Sequence, residues 1–138
     1  MTAVRHIAHA VASTGSAAPD YRVDIRAGAH NLVADEPVAG GGGDIGPSPF
    51  AILLSALVAC TAITLRMYAA RKGWELASVD VEARYEVADD DSGSIVRTIT
   101  VPHDLPADQR ERLADIAERT PVTRAVRTGT PITTTVRS

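Results

Sequence analysis

Residues Pro49 to Leu65 form a run without a single charge, PFAILLSALVACTAITL, opened by a Gly-Pro-Ser-Pro turn and closed by Arg66. Nothing else in the chain limits the fold as strongly. Ser48 is a good N-cap, Pro49 suits the first helical position, and Gly73 after Lys72 is a C-terminal stop, so one helix is predicted from Pro49 to Lys72. Apolar residues fall on every face of it (Ile52, Leu53, Leu54, Leu57, Val58, Ile63, Leu65), so it has to be covered all round rather than along one stripe. For a chain of 138 residues that is a demand a partner subunit can meet. A bilayer span takes about 18 to 20 apolar residues. This run falls short, contains Ser55, Thr61 and Thr64, and has no Trp or Tyr at its N-terminal flank, so a buried helix of a soluble protein is expected, with no membrane partner.

On the N-terminal side, Tyr21, Val23 and Ile25 alternate with Arg22, Asp24 and Arg26, the period of a half-buried strand with Arg22 and Arg26 on one face. Gly28 marks a turn, and His30 to Ala34 returns as a second strand ended by Asp35-Glu36-Pro37. Gly40 to Gly43 then reads as a flexible hinge before the helix; it lacks the Lys-Ser/Thr ending of a phosphate loop. Beyond the helix, Val79, Val81, Ala83, Tyr85 and Val87 alternate with charged residues. The acidic turn Asp89 to Gly93 then leads to a strand at Ile95 to Val101, which predicts a hairpin. The turn lacks the later glutamate of a calcium loop. A helix is predicted from about Pro106 to Arg119 with Leu113, Ile116 and Ala117 inward. Another follows, capped by Thr120 with Pro121 first, Val122, Ala125 and Val126 inward and Gly129 as its end, before a last strand at Ile132 to Val136. Strands and helices occur in separate blocks, which points to an α+β fold with antiparallel sheets.

The length suits a single domain, residues 1–138. One cysteine allows no intrachain disulfide and no tetrathiolate site, so a reducing compartment, by default the cytoplasm, is expected. The opening residues lack the uninterrupted apolar core of a signal peptide. A net charge of −3 with scattered arginines disfavours nucleic acid. His6 and His9, three apart in an expected strand, fall on opposite faces with no further ligands, so no metal is expected.

Cys60 is the candidate for chemistry. It lies about three turns inside the helix, too deep for the helix N-terminus to activate it, so a thiolate there needs a basic neighbour from elsewhere in the fold. Its competing role is a small buried hydrophobe. His30 is either a site residue or bonded to backbone, Arg22 and Arg26 either line a site or are solvated, and Thr120 is explained as a cap.

The pieces GAHNLVADEP, GGGGDIGPSPF and LLSALVACTAITLRMYAARKGW, with the strand at Val79 to Val87 and Thr120-Pro121-Val122, resemble the OsmC/Ohr family over most of the chain. The resemblance implies an OsmC-like fold: an intertwined homodimer, its antiparallel sheets wrapped around long central helices, with a site at each subunit interface. It also implies reduction of organic hydroperoxides in the oxidative stress response, a peroxiredoxin activity without cofactor, by a peroxidatic cysteine at the place of Cys60. Two places depart from the family. Thr120 stands where its second, resolving cysteine lies, and Phe50-Ala51 where its glutamate lies. Resolution therefore calls for an external thiol reductant. Arg22 and Arg26 are candidates for the family's activating arginine, and His30, Asp35 and Glu36 for the polar lining. Three functions fit these features: a single-cysteine thiol-dependent hydroperoxide reductase, a non-catalytic dimer binding a small apolar ligand, or a cysteine redox sensor.

Overall fold

A computed structural model describes residues 3–15 and 21–138. The fold is α+β. Its elements run β1 (Ala10–Thr14), β2 (Val23–Ala27), β3 (His30–Ala34), a 3₁₀ turn at Val38–Gly40, α1 (Pro49–Lys72), β4 (Asp80–Val87), β5 (Gly93–Thr100), α2 (Ala107–Ala117) and α3 (Pro121–Thr128). The chain divides into two compact units, Met1–Leu53 and Leu54–Ser138, and α1 runs from the first into the second.

In the first unit β1, β2 and β3 form an antiparallel sheet in that order. Its register pairs Ala12 with Ile25 and Ile25 with Leu32. The glycine-rich segment after β3 is not a bare hinge. It is wound about the buried Asp35, whose carboxylate accepts backbone N–H bonds from Glu36 (2.7 Å), Tyr21 (3.1 Å), Gly43 (3.0 Å) and Ile45 (3.3 Å). A Cβ at Gly42 would stand 2.0 Å from the Glu36 carbonyl oxygen, so only glycine fits there.

Both ends of α1 fall where local chemistry sets them. The Ser48 hydroxyl accepts from Ala51 N at 3.2 Å. At the other end Gly73 takes φ +72° while Trp74 N bonds Ala69 O and Gly73 N bonds Ala70 O, the paired bonds of a Schellman stop. One stripe of the helix, Leu57, Thr61, Leu65 and Ala69, is buried within the second unit. The expected all-round cover is not supplied by a single chain, because Leu53, Ile63 and Met67 remain exposed. By length and composition α1 is, among the described residues, the one helix able to cross a membrane, yet its buried stripe belongs to the core of the second unit.

That core gathers Leu65 with Leu105, Leu113 and Ala117, against Tyr68, Trp74, Ile99, Val101 and Ile116. Arg112 of α2 reaches back to α1, its Nε donating to Tyr68 Oη at 2.9 Å. This hydrogen bond, outweighing partial burial, holds the phenol below the usual tyrosine range. The β4–β5 hairpin has the expected antiparallel pairing, with Ala83 opposite Arg97 and Tyr85 opposite Ile95.

Three expectations fail. Residues 132–136 form no strand, and Ile132 and Val136 are 87% and 92% exposed, since a strand needs a neighbouring edge and the tail meets none among the described residues. In α3 the buried residue is the polar Thr123 rather than Ala125 or Val126, because hydrogen-bond partners rather than apolarity draw it inward. His6 and His9 precede β1 and lie in no strand.

Candidate functional site

Cys60 is half-buried on α1, its Sγ 3.9 Å from Thr64 Oγ1 one turn along. The next residue, Thr61, is fully buried and donates to Leu57 O at 2.8 Å. Its hydroxyl oxygen also accepts from Arg97 Nη1 at 3.0 Å. The same Nη1 donates to Thr123 Oγ1 at 2.8 Å, and Nη2 donates to Ala117 O at 3.0 Å. Thr120 and Thr123 share a hydroxyl–hydroxyl bond of 2.6 Å, and the Thr120 oxygen caps α3 by accepting from Thr123 N. Glu118 Oε1 completes the surroundings, 3.8 Å from Arg97 Nη2.

Arg97 thus ties α1, β5 and the α2–α3 junction together through a side chain only 11% exposed. A charge so far from water is tolerated because hydroxyl and carbonyl acceptors replace its hydration. This residue was missed in the sequence, although it carries a signal. Ile95, Arg97 and Ile99 share the half-buried parity of β5, and an arginine in an inward slot of a strand needs a reason. The small Ala83 opposite leaves it room.

The lining candidates of the first unit are not brought together. Arg26 pairs across the sheet with Asn31, whereas His30 pairs with Ala27, the next residue along β2, so the arginine and the histidine occupy opposite faces. Arg22 shares the face of Arg26 and is bound to Asp24 by Nε (3.2 Å) and Nη2 (3.0 Å), an exposed pair of small energetic weight. His30 is exposed and Glu36 half-buried. Asp35 is committed to its loop. Burial pushes its pKa up, but the four backbone N–H bonds pull it further down, leaving it below the usual carboxylate value. The stability this adds is fully present above the unfolded-state pKa of about 3.9 and is lost as pH falls through the lower folded value. Asp35→Asn is therefore expected to lower the melting temperature at neutral pH by several degrees. That difference should shrink toward zero in acid, as measured by thermal melts between pH 7 and pH 2. A constant difference across that range would contradict the assignment.

Among the described residues no group of His, Cys, Asp and Glu is placed to hold a metal.

The family profile of OsmC-like proteins matches residues 40–135, which include Cys60, Arg97 and Thr120. The chain belongs to the OsmC/Ohr family. Solved structures of OsmC and Ohr proteins share its fold. A protein of Psychrobacter arcticus assigned to osmotic stress and detoxification superposes with TM-score 0.74 at 18% identity, covering 88% of this chain and 90% of its own. The organic hydroperoxide resistance protein OsmC of Legionella pneumophila gives TM-score 0.67 at 17% identity, covering 91% and 92%. The organic hydroperoxide resistance protein OhrB of Bacillus subtilis gives 0.61 at 22%, covering 90% and 93%. No curated protein matches the sequence significantly. In this OsmC-like protein, Thr120 is a buried hydroxyl bonded into the Arg97 network.

Proposed function

We propose that this OsmC-like protein is a thiol-dependent organic hydroperoxide reductase in which Cys60 is the peroxidatic residue. The observation that carries this reading is the position of Cys60, the one cysteine of the chain, within the family match and on α1 as a residue that is not fully buried. The names of the Legionella and Bacillus proteins support the substrate class. In the reaction, the Cys60 thiolate attacks one peroxide oxygen and the O–O bond breaks. The alkoxide leaves and takes a proton to become an alcohol, while sulfur is oxidised to a sulfenic acid. An external thiol then attacks that sulfur, releasing water and leaving a mixed disulfide, and a second external thiol returns Cys60 to the reduced state. No residue of the chain can take the resolving part, because a hydroxyl at Thr120 cannot form a disulfide.

The protein would act as one OsmC-like domain within a homodimer in the reducing cytoplasm. The exposed apolar side of α1 and the unpaired, alternating tail at Ile132 to Val136 both support a second copy as the missing cover. A second reading, a non-catalytic dimer that binds a small apolar ligand, is favoured by the same departures at Ala51 and Thr120.

The deciding experiment follows oxidation of Cys60 by cumene hydroperoxide and by hydrogen peroxide, using intact mass and stopped-flow kinetics, with Cys60→Ser as control. The reductase reading expects fast, organic-selective addition of one oxygen, turnover with added thiol, and a loss of about a thousandfold or more in the variant. Fast oxidation without turnover would instead indicate a redox sensor. A rate no better than that of a free thiol would leave the ligand-binding dimer.

A further inference from the structure

Away from Cys60, the second unit carries a cavity of about 550 Å³ between the β4–β5 hairpin and α3. The volume is in the range of small-molecule sites, and the lining combines apolar walls with converging charge. Leu57, Ile95 and Val126 supply the walls, and Arg97, Arg127 and Glu118 the charge.

The two arginines already hold a carboxylate between them. Glu118 Oε2 pairs with Arg127 Nη2, while Oε1 lies 3.8 Å from Arg97 Nη2. Their spacing therefore fits a single carboxylate group. The Arg97 guanidinium is fixed by its three hydrogen bonds, on a side chain 11% exposed, so a ligand meeting it need not order it. Glu118 is different. It sits at the C-terminal cap of α2, its side chain is 56% exposed, and its pair with the 60% exposed Arg127 is of a kind that contributes little. An incoming carboxylate can take its place at small cost.

The hairpin shapes the rest of the groove. A Cβ at Gly93 would lie 2.1 Å from Tyr85 Oη, so glycine at this position lets the Tyr85 ring lie across the strand beside the cavity.

We propose that this groove binds a small organic carboxylate, whose head group displaces Glu118 from between Arg97 and Arg127 and whose aliphatic body packs on Leu57, Ile95 and Val126. Cys60 does not line it, so this binding is separate from peroxide chemistry and stands or falls without it.

The test is isothermal titration of the full chain with hexanoate, hexanol and inorganic phosphate, repeated on Glu118→Gln and Arg127→Gln. Both substitutions lie on exposed side chains, and thermal melts confirm that the variants fold. Saturable hexanoate binding is expected, tightened about tenfold in Glu118→Gln, which removes the competing carboxylate, and weakened about tenfold in Arg127→Gln. Hexanol should bind negligibly and phosphate more weakly than hexanoate. Equal binding of hexanol and hexanoate, equal binding of phosphate and hexanoate, or hexanoate binding unchanged in both variants would each overturn the proposal.

Discussion

Replacing Arg97 by Met is expected to destabilise the second unit by about 2–4 kcal/mol, read as a lower urea midpoint with an unchanged slope. The side chain removed is apolar along most of its length, and Met can fill much of that space. The loss therefore comes from polar partners left behind. Ala117 O loses the donor at 3.0 Å, and the hydroxyls of Thr61 and Thr123 lose donors at 3.0 and 2.8 Å, all inside the protein. The network makes a sharper demand. Thr61→Val and Thr123→Val, isosteric changes, should recover part of the loss when added to Arg97→Met, because the oxygen lone pairs that lost the guanidinium are then gone as well; each hydroxyl otherwise keeps a bond, Thr61 to Leu57 O and Thr123 to Thr120 Oγ1. In the wild-type background the same two substitutions should be destabilising, since they strip acceptors from a buried guanidinium. Strict additivity of the three would show that Arg97 acts by packing rather than by hydrogen bonding. Arg97→Lys should fall between the extremes, because an ammonium on a flexible stem cannot match the planar fork that reaches three acceptors.

Leu65→Ala is expected to cost about 2–5 kcal/mol. Leu65 is fully buried at the junction of α1 with Leu105, Leu113 and Ala117. The cavity left would be walled by helices already fixed by Trp74 N to Ala69 O and by Arg112 on Tyr68, so little collapse can relieve it. Ile63, two residues away on the same helix, gives the informative contrast. It is 57% exposed in the single chain, so Ile63→Ala should be nearly neutral there, within about 0.5 kcal/mol. If a second copy covers that side of α1, the same substitution becomes costly at concentrations where the wild type is dimeric, and its effect shrinks toward the single-chain value as the protein is diluted. Sedimentation of wild type and Ile63→Asp over a concentration series reads the homodimer directly. A monomer at every concentration would remove it from the proposed function.

Local signals made much of the chain legible. Ser48, Pro49 and Gly73 bounded α1 at the residues where the helix begins and ends, because caps and a positive φ act within one turn. Period-two alternation placed β2 and β4, the turns at Gly28 and at Asp89 to Gly93 placed their partners β3 and β5, and Thr120-Pro121 placed the start of α3. The same reasoning failed where a pattern needed a distant partner. The alternating tail at Ile132 to Val136 has strand character but no edge to join within the described chain. The four backbone N–H donors that converge on Asp35 were equally out of reach, because they come from positions as far apart as Tyr21 and Ile45.

The sequence by itself determined the family, the α+β class, the bounds of the main elements and the single thiol. These follow from residue identities and from interactions over a few positions. Tertiary structure alone decided that the α1 stripe facing the core includes Thr61, that Thr123 rather than Val126 turns inward, and that Arg97 joins them. It also decided that Arg26 and His30 part to opposite faces, and that Glu118 sits between two arginines. Residues 61 and 97 are 36 positions apart and residues 97 and 123 are 26 apart. No propensity or period reaches so far. Their meeting is fixed by close packing of elements whose side chains must either fill space or find a hydrogen-bond partner.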